Sequence, residues 1–143
     1  MKCFIRNLCL INNSYFRYEL EINNKDNLNK IIDIAFPNVE KSFYEDEKEY
    51  SVVLKNGETA NSDMKIANKL FMLNAIVKCY YQSNYKELLK TTERQEETGK
   101  FLEWLILGLA KEFKRKVEIT KDEILKILLI NEKSILNFNM ERV

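Results

Sequence analysis

Histidine is absent from all 143 residues, and this gap closes more chemistry than any other feature of the composition. Histidine is the usual general base, the usual partner of a Ser or Cys nucleophile and the commonest metal ligand. Ser-His-Asp, Cys-His and His-metal sites are therefore excluded. Only three glycines occur, Gly57, Gly99 and Gly108. A P-loop or a dinucleotide fingerprint needs several glycines within a few residues so that backbone N–H groups can approach phosphate, so neither is present. The three cysteines, Cys3, Cys9 and Cys79, form no CxxC pair. Along one extended strand Cys3 and Cys9 would stand ~20 Å apart, beyond disulfide reach. Without histidine or a second cysteine pair, the chain also falls short of the four N/S donors of a zinc site. The thiols read as small buried hydrophobes in a reducing compartment. No apolar run reaches the ~18 residues of a membrane span. The first eleven residues are interrupted by Arg6 and Asn7, unlike the apolar centre of a signal peptide. The expectation is a cytoplasmic protein with no cofactor and no membrane partner.

A charge of one sign is lacking too, since 23 Lys and Arg face 22 Asp and Glu for a net charge of +1. Bulk electrostatics therefore gives no argument for nucleic acid or an anionic surface. What the chain does have is 45% hydrophobic and 11% aromatic residues, enough for a packed core and far from a disordered composition. Abundant Lys, Asn and Ile suggest an AT-rich genome, as in a low-GC bacterium or its phages. Nothing resembling a linker or a repeat divides the chain, and one domain over residues 1–143 is expected.

The first sixty residues read as β-β-α-β-β. In Tyr15 to Ile22, Phe16, Tyr18, Leu20 and Ile22 alternate with polar neighbours, and Cys3 to Ile11 is rich in strand formers. Asn12, Asn13 and Ser14 then make the turn of an antiparallel hairpin. Asp26 is placed to cap a helix with Leu28, Ile31, Ile32, Ala35 and Phe36 on one face, stopped by Pro37, the single proline. Val39 to Tyr44 and Tyr50 to Lys55 form a second hairpin across Glu45, Asp46, Glu47 and Lys48. The acidic residues of that turn read as a solvated loop, since no glycine bends them into a calcium site.

From Ser62 the pattern turns helical, and four to five helices are expected over residues 61–143. Ile66, Leu70, Leu73 and Val77 set the stripe of the first, which extends to Gln82. Thr92 with Gln95 has the form of a capping box for the next. Within it, Phe101, Leu102, Trp104, Leu105, Ile106, Leu107, Leu109, Ala110 and Phe113 point to nearly every side of the wheel. The stretch from Thr98 to Lys116 is therefore expected to be the axis of the molecule with Trp104 largely buried. Either the sheet half and the preceding helix enclose it, or part of it joins a partner or a second copy. Gly108, costly inside a helix, makes sense where another backbone comes close. Lys111, Lys114, Arg115 and Lys116 suit the negative end of the helix dipole. Thr120 and Glu123 make a second capping box.

The segment Ile119 to Arg142 resembles a helix-turn-helix, with apolar Ile124, Leu128, Ile130, Ile135 and Phe138 where the two helices of that motif pack. A last short helix capped by Asn131 would present Lys133, Ser134 and Asn137 to DNA. The departures weigh against it. Leu129 replaces the usual turn glycine, Leu125 is large where a small residue belongs, and the would-be recognition helix carries Glu132 and only one basic residue, Lys133, before Arg142. Elsewhere, Tyr80, Tyr81 and Tyr85 interleave with Lys78 and Lys86 as in single-strand stacking platforms, although helical spacing suits a core rim as well.

The expected architecture is thus α+β, a small antiparallel sheet with one helix followed by a helical half. The expected function is a non-enzymatic cytoplasmic interaction protein that binds a protein partner or forms a homodimer, with Tyr80, Tyr81, Tyr85 and Trp104 as contacts. A small inhibitor of a host defence protein, encoded by a phage or mobile element, is its specific form. A DNA-binding regulator is the alternative, and a carboxylate-based enzyme comes third.

Overall fold

The computed structural model describes residues 1–56, 60–83, 92–130 and 136–143, with side chains described except at 60–63 and 92. The chain opens with β1 (Lys2–Ile11) and β2 (Ser14–Ile22), joined by Asn12 and Asn13. Both asparagines have positive φ, 49° and 64°. A two-residue hairpin loop with both centres left-handed matches the right-handed twist of its strands, and Asn tolerates that conformation. Ser14, expected in the turn, is already paired with Ile11.

Helix α1 (Lys25–Ala35) follows. Its cap is Asn24 rather than Asp26: the Asn24 side chain accepts from the backbone N–H of Asp26 and of Asn27 at 2.9 and 3.1 Å. Two donors that a helix start leaves unpaired are thereby satisfied. Leu28, Ile31, Ile32 and Ala35 are all buried. Strands β3 (Glu40–Glu45) and β4 (Glu49–Lys55) form the second hairpin. Its turn is held by Asp46 Oδ1, which accepts from the N–H of Lys48 and of Glu49 at 2.8 Å each.

Helices α2 (Ala60–Gln82), α3 (Thr92–Glu112) and α4 (Lys121–Ile130) come next. The Thr120 capping box is formed: the Glu123 N–H donates to Thr120 Oγ1 and the Thr120 N–H to Glu123 Oε1, both at 3.2 Å. The chain then returns to the sheet as β5 (Asn137–Arg142).

The expected architecture needs correction on two counts. The sheet has five strands in the order β3-β4-β1-β2-β5 and is mixed, because β1 and β4 run parallel while the other pairs are antiparallel. The later half carries three helices among the described residues, not four or five. Residues 137–142, which include the Phe138 expected in a last helix, form β5, while Asn131, the expected cap of that helix, lies outside the described residues. In β5 the half-buried Phe138 and Met140 alternate with Asn137, Asn139 and Glu141. Pairing Phe138 with Leu20 and Met140 with Tyr18 puts those two apolar side chains on the covered face of the sheet.

That covered face carries Cys3, Ile5, Cys9, Tyr18, Leu20, Ile22, Tyr50, Val52 and Leu54, all buried. Helices α1 and α2 lie on it, and α3 and α4 pack chiefly on other helices, α3 against α2 and α4. Phe71 of α2 joins three elements, with its ring 5.2 Å from Phe113 and 5.8 Å from Phe138, both edge-on. Lys69 ties α1, α2 and α4 together. Its ammonium lies 2.9 Å from Glu123 and donates to the Ala35 carbonyl at 2.7 Å. On the opposite sheet face Arg6 lies over the Phe4 ring at 4.3 Å and pairs with Glu19 at 3.3 Å and with Glu49.

Candidate functional site

Where the residues expected to make contacts fall is decided by how α2 and α3 pack. Tyr80 and Tyr81 lie in the last turns of α2. Tyr80 is 1% exposed, and its ring meets that of Tyr81 edge-on at 5.4 Å. Burial, with a smaller contribution from Tyr81, pushes the Tyr80 phenol up to about 12, as desolvation must when the charged form is the anion. A ring so enclosed cannot stack on a base or meet a partner, so Tyr80 belongs to the core. Tyr81 is half-buried against the same cluster. Tyr85 lies outside the described residues.

Helix α3 is the element whose packing departs most from expectation. Leu102 is fully buried, and Leu105 and Leu109 are 9% exposed, along the side that meets the other helices. Trp104, expected inside, is 70% exposed, and Leu107 is 69% exposed. The reason is geometric: a helix resting on one layer buries one side, and the three-residue step from Trp104 to Leu107 puts both on the other side. Phe101, half-buried one turn before, extends the patch, its ring 6.2 Å from that of Trp104. A Cβ added at Gly108 would meet nothing within 4 Å. The close backbone approach expected there is thus not made by any of the described residues. The ion pair of Glu103 with Lys121 at 2.8 Å borders the patch and fastens α3 to α4. The Glu103 hydrogen bond raises the Lys121 ammonium above its ordinary value.

The residues expected to read DNA are not brought together on a helix. Asn137 stands in β5, opposite Glu21 of β2, while Lys133 and Ser134 lie outside the described residues. The helix-turn-helix reading therefore loses the part of its second helix that contained Asn137 and Phe138. The physical cause is the unpaired edge of β2, which offers six residues of backbone a ladder of partners and offers Phe138 and Met140 a covered face.

The acidic turn is also accounted for by its own neighbours. Glu45 pairs with Lys25 at 3.0 Å and Glu49 with Arg6, and no group of three or more potential metal ligands stands together among the described residues. Cys3 and Cys9 are buried on β1, and burial raises the Cys3 thiol. Cys79 is half-buried. No helix among the described residues is long and apolar enough to cross a membrane.

One candidate contact surface is the outer face of α3, with Trp104 and Leu107 side by side in water and an unfilled Gly108 beside them. Its sequence signal is the excess of apolar residues around the helical wheel; which of them stay outside is a property of the layer packing. Against known protein families, curated proteins and solved structures, the chain gives no match.

Proposed function

We propose that the chain is a non-enzymatic interaction protein that binds another protein through the outer face of α3, with Trp104 and Leu107 as anchors. The observation that carries this reading is the exposure of those two side chains, 70% and 69%, one turn apart on a helix whose other side is core. Tryptophan is the residue most enriched among side chains that dominate binding, because it buries a large rigid surface at little entropic cost. Gly108 supports it, since a helix-interior glycine costs about 1 kcal/mol relative to Ala and its flat surface would let a partner's backbone approach. Action in the cytoplasm, and as an inhibitor encoded by a phage or mobile element, is the finer form of the proposal. The reading of the cysteines as reduced thiols and the coding bias of the sequence support it.

Trp104 is the sole tryptophan, so its fluorescence reports on the surface directly. The isolated monomer should emit at long wavelength and be readily quenched by iodide, with a blue shift on complex formation. Light scattering of the purified protein separates a second copy from a different partner. A photo-cross-linking residue at position 104, introduced in the native host, should then capture one protein, and Trp104→Ala should abolish its binding. Cross-linking to no protein, or binding unchanged by Trp104→Ala and Leu107→Asp together, overturns the reading.

A further inference from the structure

A concave surface that neither Trp104 nor Leu107 lines has a different chemistry. A groove of about 510 Å³ opens between the first half of α2, the segment following α3 and the end of β5. Its floor is aliphatic, supplied by Ile11, Met64 and Met140, and its rim carries Lys65, Lys114, Arg115 and Lys116 against a single carboxylate, Glu118. The volume falls within the range of ligand sites.

The four cations form no ion pair among the described residues. In this they are like Lys30, Lys100 and Lys126 and unlike Arg6, Lys25, Lys41, Lys69, Arg94 and Lys121, which sit within ion-pair distance of a carboxylate; what sets the four apart is that they converge on one rim. The dipole of α3 attracts cations at its C-terminus, but Lys65 comes from the second turn of α2, where a helix dipole offers a cation nothing. Two unrelated elements therefore bring like charges to one rim, leaving a surplus of three positive charges. Like charges held close repel unless an anion answers them.

Two of the four are also held in place. Arg115 donates to Asn68 Oδ1 at 2.9 Å, lies over the Phe71 ring at 4.7 Å, and has its N–H bonded to the Ala110 carbonyl at 3.1 Å. Its remaining guanidinium donors can meet a carboxylate as a fork. Lys114 occupies the left-handed position that ends α3, with φ 50°. Glycine is the usual residue there; the chain instead keeps a charge at a backbone position that disfavours any side chain.

We infer that this groove is a docking site for an acidic peptide segment of a partner protein that also carries an apolar anchor. Aliphatic and thioether side chains make the floor, so a base finds no aromatic platform there. An open groove leaves one side of an occupant in water, which suits a segment attached to a larger body better than a free acyl chain, whose affinity needs enclosure. Methionine floors repack around different apolar side chains. This inference rests on the reading that the chain acts through a protein partner, but it uses other residues than Trp104 and Leu107, so the two can fail separately.

The test is selection of displayed random peptides of about twelve residues against the full chain. Enriched peptides should combine two or more carboxylates with a neighbouring large apolar residue. A fluorescein-labelled peptide so obtained should bind about tenfold more weakly to the Lys65→Glu, Lys114→Gly double variant, lose affinity as salt rises, and bind Trp104→Ala as it binds the native chain. Both altered residues are exposed and Lys114→Gly relieves an unfavourable φ, so the double variant should melt no lower than the native protein. Lack of acidic bias, or equal binding to the double variant, overturns the inference. So does tighter binding of a short oligothymidylate or of dodecanoate to the native chain, lost in the same double variant.

Discussion

Helices α1 and α3 solve the same problem with opposite results. In α1, Leu28, Ile31, Ile32 and Ala35 are no more than 2% exposed, and the opposite side is polar. In α3, Leu102, Leu105 and Leu109 turn inward while Trp104 and Leu107 stay in water. The first helix carries as much apolar surface as its own chain can cover. The second carries more, and the surplus lies on one side. Apolar surface left in water costs roughly 25 cal/mol per Å², so a helix with a surplus is disposed to bury it against something else.

The comparison can be broken at several places, in decreasing order of expected effect. Ile31→Ala, which empties a fully buried site under α1, should cost about 3 kcal/mol, read as a lower urea midpoint at unchanged slope. Next comes an alkaline transition rooted in Tyr80. Its phenol titrates near 10 in the unfolded chain and at about 12 in the folded one. Below pH 10 both states hold the proton and its contribution to stability is full. Between about pH 10 and 12 the unfolded state alone releases it, so stability falls as pH rises. Melting temperature plotted against pH should bend downward in that window, and Tyr80→Phe should flatten the bend.

Effects at the helix ends should be smaller. Asn24→Ala removes the cap of α1 and should cost about 1 kcal/mol. Lys114→Gly relieves the left-handed end of α3 and should add about 1 kcal/mol. These opposite signs sharpen the contrast: α1 opens on the residue type its cap asks for, whereas α3 ends on one that its left-handed position disfavours. The smallest effect belongs to the largest exposed side chain. Trp104→Ala should leave the stability of the isolated chain within about 0.5 kcal/mol, and a loss of several kcal/mol would show that Trp104 is core.

Much of the first sixty residues is legible in the sequence because its signals are local. Alternation in Tyr15 to Ile22, the asparagine pair of the turn and the i, i+3, i+4 face of α1 all act within a few residues. The parallel pairing of β1 with β4 is not local: it joins Lys2 to Glu49 and Ile5 to Val52, and nothing in either strand specifies the other's direction. Residues 137–142 are ambiguous for another reason. Two apolar residues in six, Phe138 and Met140, fit a strand as well as part of a helix, and the free edge of β2 decides between them. The site divides in the same way. The apolar excess around Trp104 is visible on a helical wheel, although its exposure is not. Lys65 sits 49 residues before Lys114, and only the packing of α2 beside the end of α3 shows that they share a groove.

The pairing of β5 with β2 has a consequence for how the protein is made. Strand β2 ends at Ile22 and the partner that covers its edge ends at Arg142, so about 120 residues must be synthesised between the two. At roughly 5 to 20 residues per second, this edge waits on the order of ten seconds on the ribosome. Throughout that interval Phe16, Tyr18 and Leu20 present an uncovered ladder able to accept any passing strand. Late closure makes the nascent chain, rather than the finished protein, the state most exposed to aggregation, and a holdase that occupies the β2 edge should raise soluble yield more than any stabilising substitution in the helices.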